Sequence, residues 1–170
     1  MRFVVTLPGY AKPLDFAIGA ARAGAHYLEI RDDLAGGLSG FHVPDCALPL
    51  LVARRKKQFL TGAWIEAAAL VDQEVALPRQ SLEIPEERVI LSHHAESPMD
   101  LDEAVALWQS LGVGKRAVKH VEPMAQDCDS RLIWLQDRLL QIAERVNVLA
   151  AGAGAALLRR RLAARNHLHY

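Results

Sequence analysis

The chain has 170 residues, with 20 Lys and Arg balanced by 20 Asp and Glu, so it is formally neutral at pH 7 with its seven histidines uncharged. That balance removes any bulk-charge argument for nucleic-acid or membrane-surface binding. With 51% hydrophobic and 24% charged residues the composition is that of an ordinary globular protein. The length points to one domain, residues 1–170, of a size that buries roughly 70% of the surface its unfolded chain exposes. Cys46 and Cys128 stand far apart without CxxC or Cys/His spacing, which gives no support to a disulfide framework or a zinc site. The apolar start is too short for a signal peptide, and no stretch approaches the roughly 20 apolar residues that span a bilayer. A cytoplasmic protein is therefore expected.

Apolar, β-rich runs alternate with helical periodicity along the chain, the pattern of an α/β protein with a parallel sheet. Phe3 to Leu7 is the first predicted strand, followed by a helix over Pro13 to Ala25 with Leu14, Ala17, Ile18 and Ala21 on one face. Tyr27 to Arg31 is the second strand. Residues 34–49 read as a Gly- and Pro-containing loop, Leu50 to Ala53 as the third strand, Gly62 to Leu70 as a short helix and Val71 to Val75 as the fourth strand. Pro78 and Pro85 forbid a long helix before the fifth strand, Arg88 to Ser92. Asp100 is placed to cap a helix carrying Leu101, Ala104, Val105, Trp108 and Leu111. Arg116 to Val121 is the sixth strand. A long helix is expected from Asp127 to Val146, then a strand at Asn147 to Ala151, a helix at Ala155 to Arg165 and an eighth strand at His167 to Tyr170.

Eight strands with intervening helices suggest a (β/α)8 TIM-type barrel, although such barrels take about 250 residues. The expected form is compact and trimmed, with reduced second and fourth crossovers and no helix after strand eight. A doubly wound open sheet is the competitor, but Pro8-Gly9-Tyr10-Ala11 supplies no Gly-rich fingerprint after strand one.

In a barrel, reactive groups sit at the C-terminal ends of the strands. There the chain places Glu29 and Arg31, Arg54 and Arg55, Asp72 and Glu74, Ser92-His93-His94, Lys119-His120 and Arg159. Charges buried alone are costly, so pairing between the two signs is the natural arrangement, and Asp72 and Glu74 are expected to bind arginines. Lys119 alternates with Ala117 and Val121 and so points to one face. Desolvation favours a neutral lysine amine that can attack a carbonyl, and His93 or His94 would move protons beside it. A salt-bridged structural lysine is the alternative. His93 and His94 point to opposite faces and cannot readily share a metal ion, and His167-x-His169 lacks further ligands. The Arg159-Arg160-Arg161 run reads as a solvated helix face. Trp64, Trp108 and Trp134 lie near apolar periodic positions and are expected to pack.

The order of these motifs resembles the type I 3-dehydroquinate dehydratases, the Schiff-base enzymes of the shikimate pathway and of aromatic amino acid biosynthesis. Leu-Glu-Ile-Arg-Asp-Asp (28–33) is similar to the family's E-x-R-x-D, Leu-Leu-Val-Ala-Arg (50–54) to its strand-three arginine motif and Val-Asp-Gln-Glu (71–74) to its D-x-E. Val-Ile-Leu-Ser-His-His-Ala-Glu-Ser-Pro (89–98) resembles I-x-S-x-H-x-x-x-T-P, and Ala-Val-Lys (117–119) the strand-six lysine motif. Ala-Gly-Ala-Gly-Ala-Ala-Leu-Leu-Arg (151–159) resembles M-G-x-x-G-x-x-S-R. The resemblance implies a hydro-lyase in which Lys119 forms the imine and His94, rather than His93, is the general acid/base. It implies that Glu29, Arg31 and Arg54 line the pocket and that Arg159 pairs with the substrate carboxylate. No metal or cofactor is then needed, because the iminium is the electron sink. The implied partner is a small anionic carboxylate substrate, with no nucleic acid or membrane, and a homodimer is one assembly open to it.

Three departures from the family's pattern stand out. Gln58 occupies the position of a glutamate that helps hold the catalytic histidine, Arg165-Asn166 replaces a G-S pair, and the closing P-G-Q loop is absent. A non-catalytic or regulatory relative that binds a small carboxylate, and another lysine-imine enzyme such as an aldolase, are the alternatives.

Overall fold

The computed structural model describes residues 2–8, 13–34, 47–55, 62–77, 84–124, 130–152 and 155–170. They form two compact units, residues 1–80 with 168–170 and residues 81–167. Gln58, His42, Cys46 and Cys128 lie outside the described residues.

In the first unit, β1 (Val4–Thr6), β2 (Tyr27–Arg31), β3 (Leu50–Arg54) and β4 (Leu70–Glu74) lie side by side in chain order, all parallel. α1 (Pro13–Arg22) joins β1 to β2, and α2 (Gly62–Ala67) precedes β4. Pro13 can open α1 because its missing N–H falls where no intrahelical bond is made. Alternation along β2 and β3 sends Leu28, Ile30, Leu50 and Val52 to one face, where all four are almost wholly buried. Leu28, Ile30 and Leu50 form a cluster with Leu7, Ala17 and Leu48, with Phe16 and Trp64 packed against it. The opposite face carries Thr6, Glu29, Arg31 and Asp72, since Thr6 pairs with Glu29 and Arg31 and Asp72 both pair with Ala53.

The second unit holds β5 (Val89–His94), β6 (Ala117–Pro123) and β7 (Val146–Ala151), again parallel and in order. α3 (Leu101–Ser110) connects β5 to β6, with the Asp100 carboxylate accepting from the backbone N–H groups of Asp102 and Glu103 as the sequence predicts. α4 (Arg131–Leu139) and α5 (Ala156–Ala163) complete the unit. α4 buries Leu132, Leu135 and Leu139 but ends there, seven residues before the predicted Val146. Ile142 and Val146 continue the helical spacing by coincidence, since residues 140–145 turn and Val146 already belongs to β7. Trp108 is fully buried, as expected of a packing residue, whereas Trp134 is 64% exposed.

The predicted eighth strand is reduced to a single bridge, Phe3 to His169, in the first unit. A local reason lies on β7, where the Asn166 side chain takes both backbone groups of Val148: its Oδ1 accepts from the Val148 N–H at 2.9 Å and its Nδ2 donates to the Val148 carbonyl at 3.0 Å. An amide side chain thus does what a neighbouring strand would do. Gln136 fixes it by donating to Asn166 Oδ1 at 2.7 Å.

Gly152 ends β7 at φ +119°, where a Cβ would lie 2.7 Å from the Met124 carbonyl oxygen. Met124 in turn donates its N–H to the Ala151 carbonyl at 2.7 Å. Gly152→Ala is therefore expected to cost about 1–3 kcal/mol through strain, read as a lower urea midpoint with an unchanged m-value.

Candidate functional site

The charged face of the first unit is organised around Arg55, the residue immediately after β3. Its Nη1 and Nη2 grip Asp72 in a bidentate pair, at 3.1 and 2.6 Å. Glu29 Oε1 lies 3.9 Å from Nη2 and Glu74 Oε2 3.7 Å from Nη1, so one guanidinium serves three carboxylates. The Arg55 side chain is 7% exposed and that of Asp72 is fully buried. Burial disfavours the guanidinium charge, but Asp72, Glu29 and Glu74 outweigh it and raise the Arg55 pKa further. Two backbone contacts aim the residue. Asp32 receives the Arg55 N–H on Oδ1 at 2.7 Å, and the Asp32 N–H donates to the Ala53 carbonyl. Thr6 Oγ1 donates to Glu29 Oε2 at 2.6 Å.

The arginine that carries these ion pairs is Arg55, the neighbour of Arg54. Alternation decides between them: Ala53 and Arg55 share the face of Asp72 and Glu74, while Arg54 pairs with Gln73 on the other. Arg31 stands on the Ala53 row but turns to Asp33, its Nε and Nη2 donating at 3.0 and 2.7 Å. That hydrogen bonding raises the Arg31 pKa and lowers that of Asp33. Tyr170 also belongs to this face. Burial and the Asp72 and Glu29 charges push its pKa well above 10.

In the second unit the register puts Ser92, Lys119 and Asn147 in one row, with His94 and Val121 in the next row on the same face. Lys119 is 3% exposed, Ser92 and Asn147 are fully buried, and His94 is half-buried. The Asn147 amide donates to the Val118 carbonyl at 3.2 Å, which ties β7 to β6 beside the lysine. His93 falls on the opposite face, in the row of His120 and Val148. Arg159 is exposed on α5, and its Nη1 donates to the carbonyls of Gly152 and Ala150 at the end of β7.

The face opposite Lys119 holds a buried polar chain that the sequence reading did not find. The indole Nε1–H of Trp108 donates to His120 Nδ1 at 3.2 Å, and His120 Nε2 lies 2.8 Å from Glu122 Oε1. Because an indole can only donate, Nδ1 must accept, which places the imidazole proton on Nε2. Glu122 also accepts from Arg131 through both terminal nitrogens and from the Met99 N–H at 3.3 Å. The ring of His93 lies 5.5 Å from that of His120, centroid to centroid. Only the alternation of His120 and Glu122 along β6 hinted at a shared face.

Among the described residues no group of three or more His, Cys, Asp or Glu side chains could hold a metal ion, and no helix is long and apolar enough to cross a membrane.

Solved structures supply the comparison. The chain is similar to the crystal structure of a type I 3-dehydroquinate dehydratase from Clostridium difficile with covalently modified comenic acid, at a TM-score of 0.62 and 15% identity. The match covers 88% of this chain and 75% of that one. The chain shares that enzyme's fold. No family model and no curated sequence matches it.

The charge arrangement makes three predictions. Arg55→Met leaves three carboxylates facing one another, two of them nearly fully buried, and is expected to cost about 3–5 kcal/mol of unfolding free energy. Arg31→Met, at a pair half open to solvent, is expected to cost about 1 kcal/mol or less in the same urea titration. For Glu122, burial raises the pKa, but hydrogen bonds from His120 and Arg131 prevail and hold it at about 2, below the ordinary 4.5. Its ionised form therefore stabilises the fold above pH 4.5, and that stabilisation disappears as pH falls towards 2. The stability gap between wild type and Glu122→Gln is expected to be constant above about pH 5 and to narrow steadily below pH 4.5, measured by urea unfolding across a pH series.

Proposed function

We propose that the protein is a type I 3-dehydroquinate dehydratase-like lyase that converts 3-dehydroquinate to 3-dehydroshikimate through an imine on Lys119. The observation that carries this reading is a lysine 3% exposed on a strand face that also presents Ser92, His94 and Asn147. Likeness in fold to a dehydratase whose crystal contains a covalently modified ligand supports the same chemistry.

The steps follow from the residues. The neutral Nζ of Lys119 adds to the substrate ketone, and loss of water from the carbinolamine leaves a protonated imine. The iminium withdraws electrons from its neighbouring carbon and acidifies the C–H there. His94 removes that proton, the electron pair moves to form the carbon–carbon double bond, and the hydroxyl at the β position leaves as water with a proton returned by His94. Hydrolysis of the imine consumes one water and frees Lys119, so the net change is loss of one water. In this reading Arg159, on the same unit as Lys119, contributes to recognising the anionic substrate. A soluble enzyme of the cytoplasm is the setting that such a substrate implies.

Gln58, standing where the similar enzymes carry a glutamate, motivates a second reading: a carboxylate-binding relative that forms the imine but turns it over poorly. Incubation with 3-dehydroquinate separates the two. Borohydride trapping followed by peptide mass spectrometry is expected to place one adduct on Lys119, with enone absorbance rising in the untrapped sample. Lys119→Ala is expected to abolish the adduct, and His94→Ala to slow turnover by about 10²-fold or more, with little effect of His93→Ala. A trapped adduct without enone formation would assign the protein to the second reading, and no adduct at all would refute both.

A further inference from the structure

The carboxylate of Glu122 is fully buried on the face of β6 opposite Lys119 and collects donors from three separate elements. His120 lies 2.8 Å from it on the same strand, and Arg131, the first residue of α4, donates through both terminal nitrogens. The third donor is the Met99 N–H, at 3.3 Å, from the segment between β5 and α3. The register gives this last contact its meaning. β5 stays paired with β6 as far as His94 and Val121, so Glu122 stands one row beyond the end of β5, with Ala150 of β7 on its other side. From there it recovers the chain that leaves β5. The Ala95 N–H still donates to the Val121 carbonyl at 2.9 Å, and Met99 then returns to the Glu122 carboxylate. On the other side of His94, the His93 ring lies 5.5 Å from the ring of His120, which Trp108 and Glu122 hold from either end. His94 thus sits between fasteners, one before it and two after it, that all lead to β6. A buried carboxylate is a costly way to obtain packing, which an apolar side chain would supply. An apolar side chain cannot bond a loop N–H, and that bond sets where the loop leaves the sheet.

We propose that Glu122 is a positioning residue for His94: by holding Met99 from behind β6 it fixes the path of the chain that leaves β5, and with it the imidazole on the Lys119 face. The proposal rests on the reading of Lys119 and His94 as the reacting pair, and it puts no new group against the substrate. Ser92 and Lys119 share one row and His94 and Val121 the next but one, so any movement of the β5 end relative to β6 alters the spacing of lysine and histidine directly. The two halves of the proposed reaction depend on that spacing unequally. The imine forms at the Lys119 amine, whereas proton removal needs His94 within reach of the neighbouring carbon. Loss of the Met99 tether is therefore expected to slow the second half and spare the first.

Two variants of the full-length protein test this near neutral pH. Glu122→Gln removes the charge, and Met99→Pro removes the tethering N–H while leaving the carboxylate to His120 and Arg131. If Glu122→Gln fails to fold, Met99→Pro decides. Hydrogen exchange followed by NMR needs no substrate. In both variants the Ala95 amide, next to His94, is expected to exchange about tenfold faster than in wild type. The Met124 amide, which bonds Ala151 between β6 and β7, is expected to keep its rate. An unchanged Ala95 rate would overturn the proposal, and so would equal acceleration of Ala95 and Met124, the mark of a general loss of stability. With 3-dehydroquinate, both variants are expected to give the wild-type extent of borohydride trapping on Lys119 and to lose about tenfold or more in kcat. The primary deuterium isotope effect on kcat is expected to be at least as large as in wild type. Unchanged kcat, or a fall in kcat matched by an equal fall in trapping, would overturn the positioning role. A wild type that forms no adduct defeats the dehydratase reading instead, and the Ala95 and Met124 rates then decide whether Glu122 holds the end of β5.

Discussion

A strand in a parallel sheet has two faces and alternates between them, and a helix-connected sheet must spend one face on packing. In β2 and β3 that face takes Leu28, Ile30, Leu50 and Val52, all nearly inaccessible to water. In this unit Thr6, Glu29, Arg31, Asp72 and Arg55 take the other parity and occupy consecutive rows. The same rule in the second unit gives Lys119 the company of Ser92, Asn147 and His94, and sends His93 and His120 to the opposite side. One residue of slip in either register would exchange the two sets and place charges against helices. The apolar packing of one face is therefore what holds the reactive face in register.

Both units solve the cost of buried charge, in different ways. On the Arg55 face a bidentate pair with Asp72 is supplemented by two longer contacts, which suits a layer whose carboxylates can also accept from other donors. On the His120 face, donors and acceptors form a closed sequence from Trp108 through His120 to Glu122 and Arg131, with the Met99 N–H as a further donor. Such a closed chain rigidifies β6 against α3, and it fastens the segment after β5 to the strand that carries Lys119. A lysine and a histidine on neighbouring strands keep a fixed spacing only if those strands cannot slide, which gives the network a bearing on the Lys119 face that it never touches.

The succession of strands and helices was legible because apolar β-branched runs and Ala- and Leu-rich helical spacing rarely imitate each other over whole elements. Where they did, the boundary was lost: Ile142 and Val146 fell in helical phase with Leu135 and Leu139, and only the folded chain separates helix from strand there. The motif order led to a dehydratase-like architecture, and the likeness in fold agrees with it at 15% identity, where pairwise sequence similarity alone carries little. That Arg55 rather than Arg54 would pair with Asp72 was not legible, for a local reason. Two arginines stand side by side at a strand end, and only strand alternation, fixed by the register, decides which one faces Asp72. Tyr170 and the Trp108–His120–Glu122 chain left no motif at all, since each depends on residues distant in sequence meeting across a sheet.

Asn166 shows how a side chain can take the place of a stretch of strand backbone. A terminal strand beside β7 would satisfy the Val148 N–H and carbonyl through its backbone, at the entropic cost of ordering several residues. A single carboxamide, already held by Gln136 on α4, offers an acceptor and a donor at the spacing of a peptide group and meets both needs. His167, the residue after Asn166, still donates its N–H to the Val146 carbonyl at 3.0 Å, so the amide supplements the backbone pairing at β7 and does not abolish it.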